Sequence, residues 1–217
     1  MTVNYNKIQP ELQECKPILL SQWGVQGDKK DYDTGFIYYC QTLLQVIELS
    51  DTNGVDLQYA VHRWYNYWCS KWAEHSLCKY GATPEPNQKH HDIDVFIDGV
   101  PYDVKVTVLA KDCPPNTNLK TRSGKNEYIK WLIENQSKES RYHSANKLYF
   151  VCIGDTYSDS QMLKCDFSTI EQCAKRFVEY SLKTGTFNKV TLANGKTINA
   201  DLIVVQKEEI ENDTAKV

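Results

Sequence analysis

The sequence lacks several patterns that mark large classes of protein. No stretch approaches roughly 18 consecutive apolar residues, and residues 1–10 hold no basic segment followed by an apolar run, so we expect neither a membrane span nor a secretory signal. No Walker loop or GxGxxG pattern is present, which argues against nucleotide hydrolysis. No repeat or low-complexity tract indicates a solenoid or a long linker. We expect a soluble cytoplasmic protein without a membrane partner.

The cysteines also lack the spacing of a metal or redox motif. None of the eight forms a CxxC pair, and no secretory signal accompanies them. We therefore expect reduced and mostly buried thiols at these positions: Cys15, Cys40, Cys69, Cys78, Cys113, Cys152, Cys165 and Cys173.

The charge is unevenly distributed along the chain. A net charge of −3 argues weakly against nonspecific nucleic-acid binding. However, the segment from Lys120 to Lys147 holds seven basic and three acidic residues, a local charge of +4, which leaves −7 for the remainder. The 217 residues, 41% of them hydrophobic and 24% charged, are typical of one globular unit with a proper core.

Hydrophobic periodicity predicts a mixed α/β (α+β) fold with a central mixed sheet flanked by helices. The aromatic stripe of the second helix, formed by Trp64, Tyr65, Trp68 and Trp72, is expected in the core rather than as a platform for bases. The charged tail from Lys207 is expected to fray. The predicted elements are helices at 34–49, 55–79, 126–143 and 168–182, a loop at 111–124, a strand at 148–153, and hairpins at 92–108 and 189–205, the latter turning at Asn194-Gly195.

The hairpin at 92–108 places acidic residues opposite one another. Asp98-Gly99 is a favoured two-residue turn, and it sets Asp94 opposite Asp103. Because side chains alternate along a strand, Asp94, Asp103 and Lys105 share one face, which Asp92 joins. The apolar residues expected on the other face are Ile93, Val95, Tyr102, Val104, Val106 and Val108.

Two facing aspartates need a compensating cation, since like charges opposite one another disfavour a sheet. Mg²⁺ takes carboxylate oxygens and keeps waters that phosphate can replace. Lys105, diagonal to Asp94, could polarise an attacking water and stabilise charge on a phosphate. The alternative is a solvated face on which the acids and the lysine simply pair.

Asp94, eight intervening residues and Asp103-Val104-Lys105 resemble the signature of the PD-(D/E)XK nuclease superfamily. The resemblance covers about residues 55–153 and implies a restriction-endonuclease-like core, with Asp94 and Asp103 binding Mg²⁺, for which Mn²⁺ can substitute, and Lys105 assisting the hydrolytic water. Two features depart from the pattern: Ile93 stands where many members have Pro, and the first strand of the meander is reduced to about 88–91. On this basis residues 1–54 are a helical extension, 55–153 the nuclease-like core, and 154–217 a helix and hairpin completing the same domain.

The resemblance suggests two further site residues. Many members carry an acid on the helix before the hairpin, and Glu74 is the best candidate, although it lies beside the apolar stripe and Glu48 stays open. Gln136, on the face of Ile129 and Ile133, matches a glutamine of some branches; the alternative is an amide at the helix edge.

The histidines favour no zinc site. His90, His91 and Asp92 are adjacent on a strand, so they alternate faces and cannot converge on one ion. His62 and His75 have no partner arranged as a nucleophilic triad, and we expect them to be structural.

The basic segment follows the hairpin directly, so Lys120, Arg122 and Lys125 could hold a phosphodiester backbone. The alternative is an ordinary solvated face. These features predict metal-dependent hydrolysis of nucleic acid, in the first place by a DNA endonuclease of the restriction, defence or repair type. A noncatalytic nucleic-acid-binding or assembly module and a structural protein with an aromatic interface are the alternatives. A homodimer, and RNA in place of DNA, stay open.

Overall fold

A computed structural model describes residues 3–19, 27–87, 92–114, 117–136 and 145–207. In these ranges the chain forms seven α-helices, one 3₁₀ helix at Gly35–Tyr38 and six strands. The helices are α1 (Tyr5–Gln13), α2 (Asp28–Asp33), α3 (Leu43–Thr52), α4 (Leu57–Lys79), α5 (Arg122–Gln136), α6 (Tyr157–Leu163) and α7 (Phe167–Thr184). The strands are β1 (Thr83–Pro84), β2 (Val95–Ile97), β3 (Val100–Val108), β4 (Lys147–Cys152), β5 (Lys189–Thr191) and β6 (Thr197–Val205).

The strands form one mixed sheet in the order β1-β2-β3-β4-β6-β5. Its centre, β3, β4 and β6, is parallel, while β1, β2 and β5 run antiparallel to their neighbours. Every residue of β4 is buried, as expected for a parallel strand covered on both faces. The predicted mixed α/β architecture is confirmed.

Helices cover the two faces of the sheet and give the core two clusters. Tyr149 and Phe150 are consecutive on β4 and therefore point to opposite faces. Phe150 joins the cluster that includes residues of α1, α4 and α7, whereas Tyr149 joins the cluster that includes residues of α5. Val104 and Val106 of β3 belong to the first cluster, so Asp103 and Lys105 project from the face that α5 covers.

Helix α4 is the longest element and matches its prediction closely. Asp56 caps its first turn by accepting a hydrogen bond of 2.8 Å from the Tyr59 N–H. Trp64, Tyr65 and Trp68 are buried and Trp72 is packed against the same cluster, so the aromatic stripe belongs to the core as predicted.

The hairpin of β2 and β3 also has the predicted register. Asp98 and Gly99 both have positive φ, at 49° and 75°, as a tight hairpin turn requires. Ile97 pairs with Val100 and Val95 with Tyr102. Of the apolar residues predicted to share a face, all except Ile93 belong to the first cluster or pack against it.

The predictions for the first half of the chain were partly wrong. Residues 34–49 do not form one helix, because the hydroxyl of Thr42 and the side chain of Gln45 form a capping box that starts α3 at Leu43. Helices α1, α2 and α6, which the sequence analysis did not predict, are present. A short first strand of the meander exists as β1 at Thr83–Pro84, while the predicted position, 88–91, lies outside the described residues.

Helix α5 begins four residues earlier than predicted. The Thr121 hydroxyl accepts a hydrogen bond of 3.1 Å from the Gly124 N–H and caps the helix. Arg122 and Lys125 are consequently helical and do not belong to a loop. The second hairpin turns at Asn194-Gly195 as predicted, with Gly195 at φ 82°. The predicted end of α5 at 137–143 and the tail beyond Lys207 lie outside the described residues.

None of the eight cysteines forms a disulfide and six of them are buried, which confirms the prediction for these residues. Within the described ranges, no helix is both long and apolar enough to cross a membrane.

Candidate active site

Asp94 lies where the ladder between β2 and β3 ends. Its N–H donates a hydrogen bond of 2.8 Å to the carbonyl of Tyr102. Its carboxylate Oδ2 accepts a hydrogen bond of 2.8 Å from the Val104 N–H. The side chain therefore takes the place of the next backbone partner and is directed at the edge of β3, whereas the sequence predicted that it projects from the sheet face.

Asp103 is held between two lysines. Its side chain is only 5% exposed; Oδ1 lies 2.7 Å from Lys105 Nζ, and Oδ2 accepts a short hydrogen bond from Lys147 Nζ. Lys147 lies beside Asp103 in the parallel register of β3 and β4 and is itself buried. Since the two ammonium groups already balance this carboxylate, the facing acids do not require a metal for that purpose alone, contrary to the sequence argument.

Glu74 on α4 lies near Asp94 and Lys105, and together with Asp103, Lys71 and Lys147 these residues form the acid–lysine cluster of the site. Glu74 is half-buried and forms an ion pair of 2.6 Å with Lys71. Burial and the negative charge of Asp94 raise the pKa of Glu74 to about 7, while Lys71 and, more weakly, Lys105 act against this shift. A residue that borders the buried stripe of a helix lies at the margin where helix and sheet meet, which explains why an unfavourable register still brings Glu74 to the site.

The carboxylates of Asp94 and Asp103 are close enough to interact electrostatically. Burial raises the pKa of Asp94; the charge of Asp103 adds to the rise, and the Val104 N–H, Lys105 and Lys71 oppose it. The cluster thus brings together three acids and three lysines, and its acids are partly deprived of water. Glu74, Asp94, Asp103 and Lys105 were predicted from the sequence as site residues, whereas Lys71 and Lys147 were not. A single lysine opening an otherwise uncharged strand was the available signal for Lys147.

Other predicted residues lie apart from this cluster or outside the described side chains. Glu48 is exposed on α3. Gln136 is the last residue of α5, and its side chain lies outside the described part of the chain. The His62 Nδ1 lies 2.9 Å from the Gln58 carbonyl oxygen, and the His75 ring packs on Tyr5, which agrees with structural roles. His90 and His91 lie outside the described residues.

The predicted substrate-binding residues lie beside the end of β3 and beside Asn188. Lys120 and Lys125 line a depression of about 750 Å³ together with Leu109, which follows β3. Leu109 is six residues beyond Asp103, or roughly 20 Å along an extended strand. The Arg122 Nε donates a hydrogen bond of 3.0 Å to Asn188 Oδ1, so this guanidinium already has a partner. Lys120 and Lys125 therefore belong to the connection between β3 and β4, although they follow the hairpin acids closely in the sequence.

The carboxylates of Asp94 and Asp103 are ligands of the type that a hard divalent cation prefers. In the described residues no three His, Cys, Asp or Glu side chains form a ready-made metal site. Mg²⁺, however, commonly uses one or two carboxylates and retains waters. Asp94 and Asp103 supply such donors, and after burial the charge of Asp94 is the next cause that raises the pKa of the neighbouring Glu74. For Asp103 to bind the metal ion, the ammonium group of Lys105 or Lys147 must move away from one of its carboxylate oxygens.

No family model, curated protein or solved structure matches this chain. Its function must therefore be inferred from the chemistry of the residues themselves.

Proposed function

We propose that this protein hydrolyses phosphodiester bonds of nucleic acid with the help of a divalent metal, and that its sheet and flanking helices are a restriction-endonuclease-like core. One observation carries the proposal: Glu74 on α4, Asp94 just before β2, and Asp103 and Lys105 on β3 interact electrostatically where β2 diverges from β3. Acids and a lysine at one edge of a sheet are suited to binding a metal and a phosphate together.

Asp94 and Asp103 would hold the metal, for which we propose Mg²⁺ with Mn²⁺ as a substitute. When bound, such an ion polarises a phosphoryl oxygen and lowers the pKa of a coordinated water.

The two lysines beside Asp103 have different tasks. The Lys105 side chain is 52% exposed, so its ammonium can move from the carboxylate to an incoming phosphate or water. The Lys147 side chain is 10% exposed and is held against Asp103. Lys147 therefore keeps the carboxylate in position, while Lys105 is the group that can stabilise charge on the substrate.

DNA is the proposed substrate and endonucleolytic cleavage the proposed reaction, for a role in restriction, defence or repair in the cytoplasm. Lys120 and Lys125 can contribute a second contact with the phosphate backbone at the far end of β3. The division into residues 1–54, 55–153 and 154–217 stays a prediction, and a homodimer stays open.

A noncatalytic nucleic-acid-binding or assembly module is the second candidate. The observation that favours it is the double ion pair of Asp103, which satisfies both carboxylate oxygens without a metal. In such a module the acids and lysines would only stabilise the edge of the sheet.

Calorimetric titration with Mn²⁺ distinguishes the two candidates. The test variant is Asp94→Asn, whose amide oxygen can still accept the Val104 N–H but carries no charge. The control is Asp201→Asn, which changes a half-buried acid on β6. If the protein is a metal-dependent nuclease, the wild type and Asp201→Asn should bind Mn²⁺ with equal affinity. Asp94→Asn should bind Mn²⁺ at least tenfold more weakly. Equal affinity in all three proteins, or no binding by the wild type, would favour the noncatalytic module.

A further inference from the structure

Two adjacent tyrosines are held out of the core on the segment between α2 and α3. Tyr38 is 45% exposed and Tyr39 is 85% exposed, although aromatic side chains usually bury most of their large apolar surface. The aromatic residues of α4 behave as a core stripe, so these two tyrosines are a separate feature of the surface.

The segment that carries the tyrosines is firmly attached to α4. The Arg63 guanidinium donates hydrogen bonds to the Asp31 carbonyl at 2.6 Å and to the Tyr38 hydroxyl at 2.7 Å. On the other side of the pair, the indole N–H groups of Trp64 and Trp68 donate to the carbonyl of Cys40 at 2.9 and 3.0 Å. The exposed rings are therefore presented by a fixed backbone, which reduces the entropy lost when a ligand stacks on them.

One face of α4 leads from Tyr38 towards the acids. The rings of Tyr38 and Tyr67 meet edge to face with their centroids 5.0 Å apart. Tyr67, Lys71 and Glu74 follow one another on one face of α4 at i, i+4 and i+7, which spans about 10 Å. Lys71 pairs with Glu74 at 2.6 Å, and burial together with the charge of Glu74 raises the pKa of Tyr67 although Lys71 opposes it.

We propose that Tyr38 and Tyr39 are a stacking surface for unpaired bases of a nucleic-acid strand whose backbone passes Lys71 on its way to the carboxylates. This inference rests on the proposed function and specifies its substrate as one with a single-stranded region, such as a frayed end, a flap or a loop. Bases inside a duplex have no free faces, whereas unpaired bases stack on aromatic rings irrespective of sequence. The Lys71 side chain is 38% exposed and lies one helical turn from Tyr67, where it can meet the phosphates of the same strand.

The test compares the affinity of fluorescein-labelled 15-mer DNA, single-stranded and duplex, by anisotropy in Ca²⁺. The variants are Tyr39→Ala, Tyr39→Phe, Tyr38→Phe and, as the control, Tyr180→Ala, which removes a tyrosine that is 61% exposed on α7. We expect the wild type to prefer the single strand. Tyr39→Ala should weaken single-strand binding roughly five- to 150-fold, the range for the loss of one base stack. Tyr39→Phe keeps the ring and should bind like the wild type, as should Tyr180→Ala, whereas Tyr38→Phe keeps the ring but loses the hydrogen bond from Arg63 and should weaken binding less than Tyr39→Ala does.

Three outcomes would overturn the stacking surface: unchanged single-strand affinity in Tyr39→Ala, an equal loss in Tyr180→Ala, or a wild type that prefers the duplex. Cleavage of the same oligonucleotides by the wild type in Mg²⁺ is measured in parallel. If neither is cleaved, the proposed nuclease fails; if cleavage occurs but Tyr39→Ala binds normally, only the stacking surface fails.

Discussion

The buried ammonium of Lys147 on β4 pairs with the Oδ2 of Asp103, its neighbour in the parallel register on β3. The pair joins the two central strands of the sheet at the candidate site. Together with the ion pair to Lys105, it gives both oxygens of a carboxylate with a 5% exposed side chain an ion-pair partner.

Replacing Lys147 by Met should destabilise the protein strongly, because the substitution leaves a buried carboxylate with Lys105 as its remaining ion-pair partner. We expect a loss of about 3 kcal/mol in the free energy of unfolding, measured by urea denaturation. The matched control is Lys105→Met, whose half-exposed pair should contribute less than about 1 kcal/mol. The double variant Asp103→Asn with Lys147→Met should recover part of the loss. Equal effects of the two lysine variants would contradict the division of tasks between them.

Replacing Lys105 by Ala should abolish cleavage and preserve metal binding. The lysine is expected to serve the phosphate and the water, and its removal frees the Oδ1 of Asp103 for the ion, so affinity for Mn²⁺ should stay equal or rise. Cleavage is followed on plasmid DNA and affinity by calorimetry. Cleavage at the wild-type rate would remove Lys105 from the mechanism.

Replacing Lys120 and Lys125 together by Ser should weaken binding to DNA without affecting folding or metal affinity. Arg122 is left unchanged, because its hydrogen bond to Asn188 gives it a structural task. Each lost phosphate contact flattens the dependence of log K on log salt by ~1 unit, so the double variant should lose about 2 units. Anisotropy across a salt series in Ca²⁺ measures this slope. An unchanged slope would identify the residues lining the depression as an ordinary solvated surface.

Asp201→Asn should stabilise the protein at pH 7. Burial raises the pKa of Asp201 in the folded state, although the Leu202 N–H and the charges of Lys125 and Arg122 oppose the rise. The protonated form therefore favours folding; its contribution is complete below the unfolded pKa of about 3.9 and is lost as the pH rises through the folded pKa. The variant should unfold at a higher temperature than the wild type at pH 7, and the difference should shrink towards pH 4. A difference that grows on acidification would contradict this sign.

The hairpin of the site could be predicted well, because the residues that determine its turn and register are neighbours in the sequence. Asp98-Gly99 specifies the turn, and the alternation around it specifies the register in which Asp94 approaches β3. Helix α4 was equally clear, since its aromatic stripe follows the helical period for many turns. Thr42, by contrast, interrupts an apparent helix through one local capping box, which the periodicity of the apolar residues does not reveal.

The rest of the site depends on contacts between residues that are distant in sequence. Lys147 and Asp103 are 44 residues apart in the sequence, and no pattern within either strand predicts that they pair. Lys120 and Lys125 follow the hairpin in the chain, but β3 and α5 carry them to the far end of the sheet. The tyrosines at 38 and 39 look like part of an amphipathic helix until the chain path shows them exposed. Distances of this kind follow from topology, which local patterns do not determine.

Cleavage of nucleic acid by the purified protein, with Mg²⁺ or with EDTA, tests the proposed nuclease most directly. Supercoiled DNA, linear DNA, single-stranded DNA and RNA are incubated with the wild type and with Asp94→Asn, which keeps an acceptor for the Val104 N–H and so should keep the fold. We predict cleavage by the wild type in Mg²⁺, none in EDTA, and none by Asp94→Asn under either condition. A folded wild type that cleaves none of the four substrates, or an Asp94→Asn variant that cleaves as well as the wild type, would contradict a metal-dependent nuclease at this site.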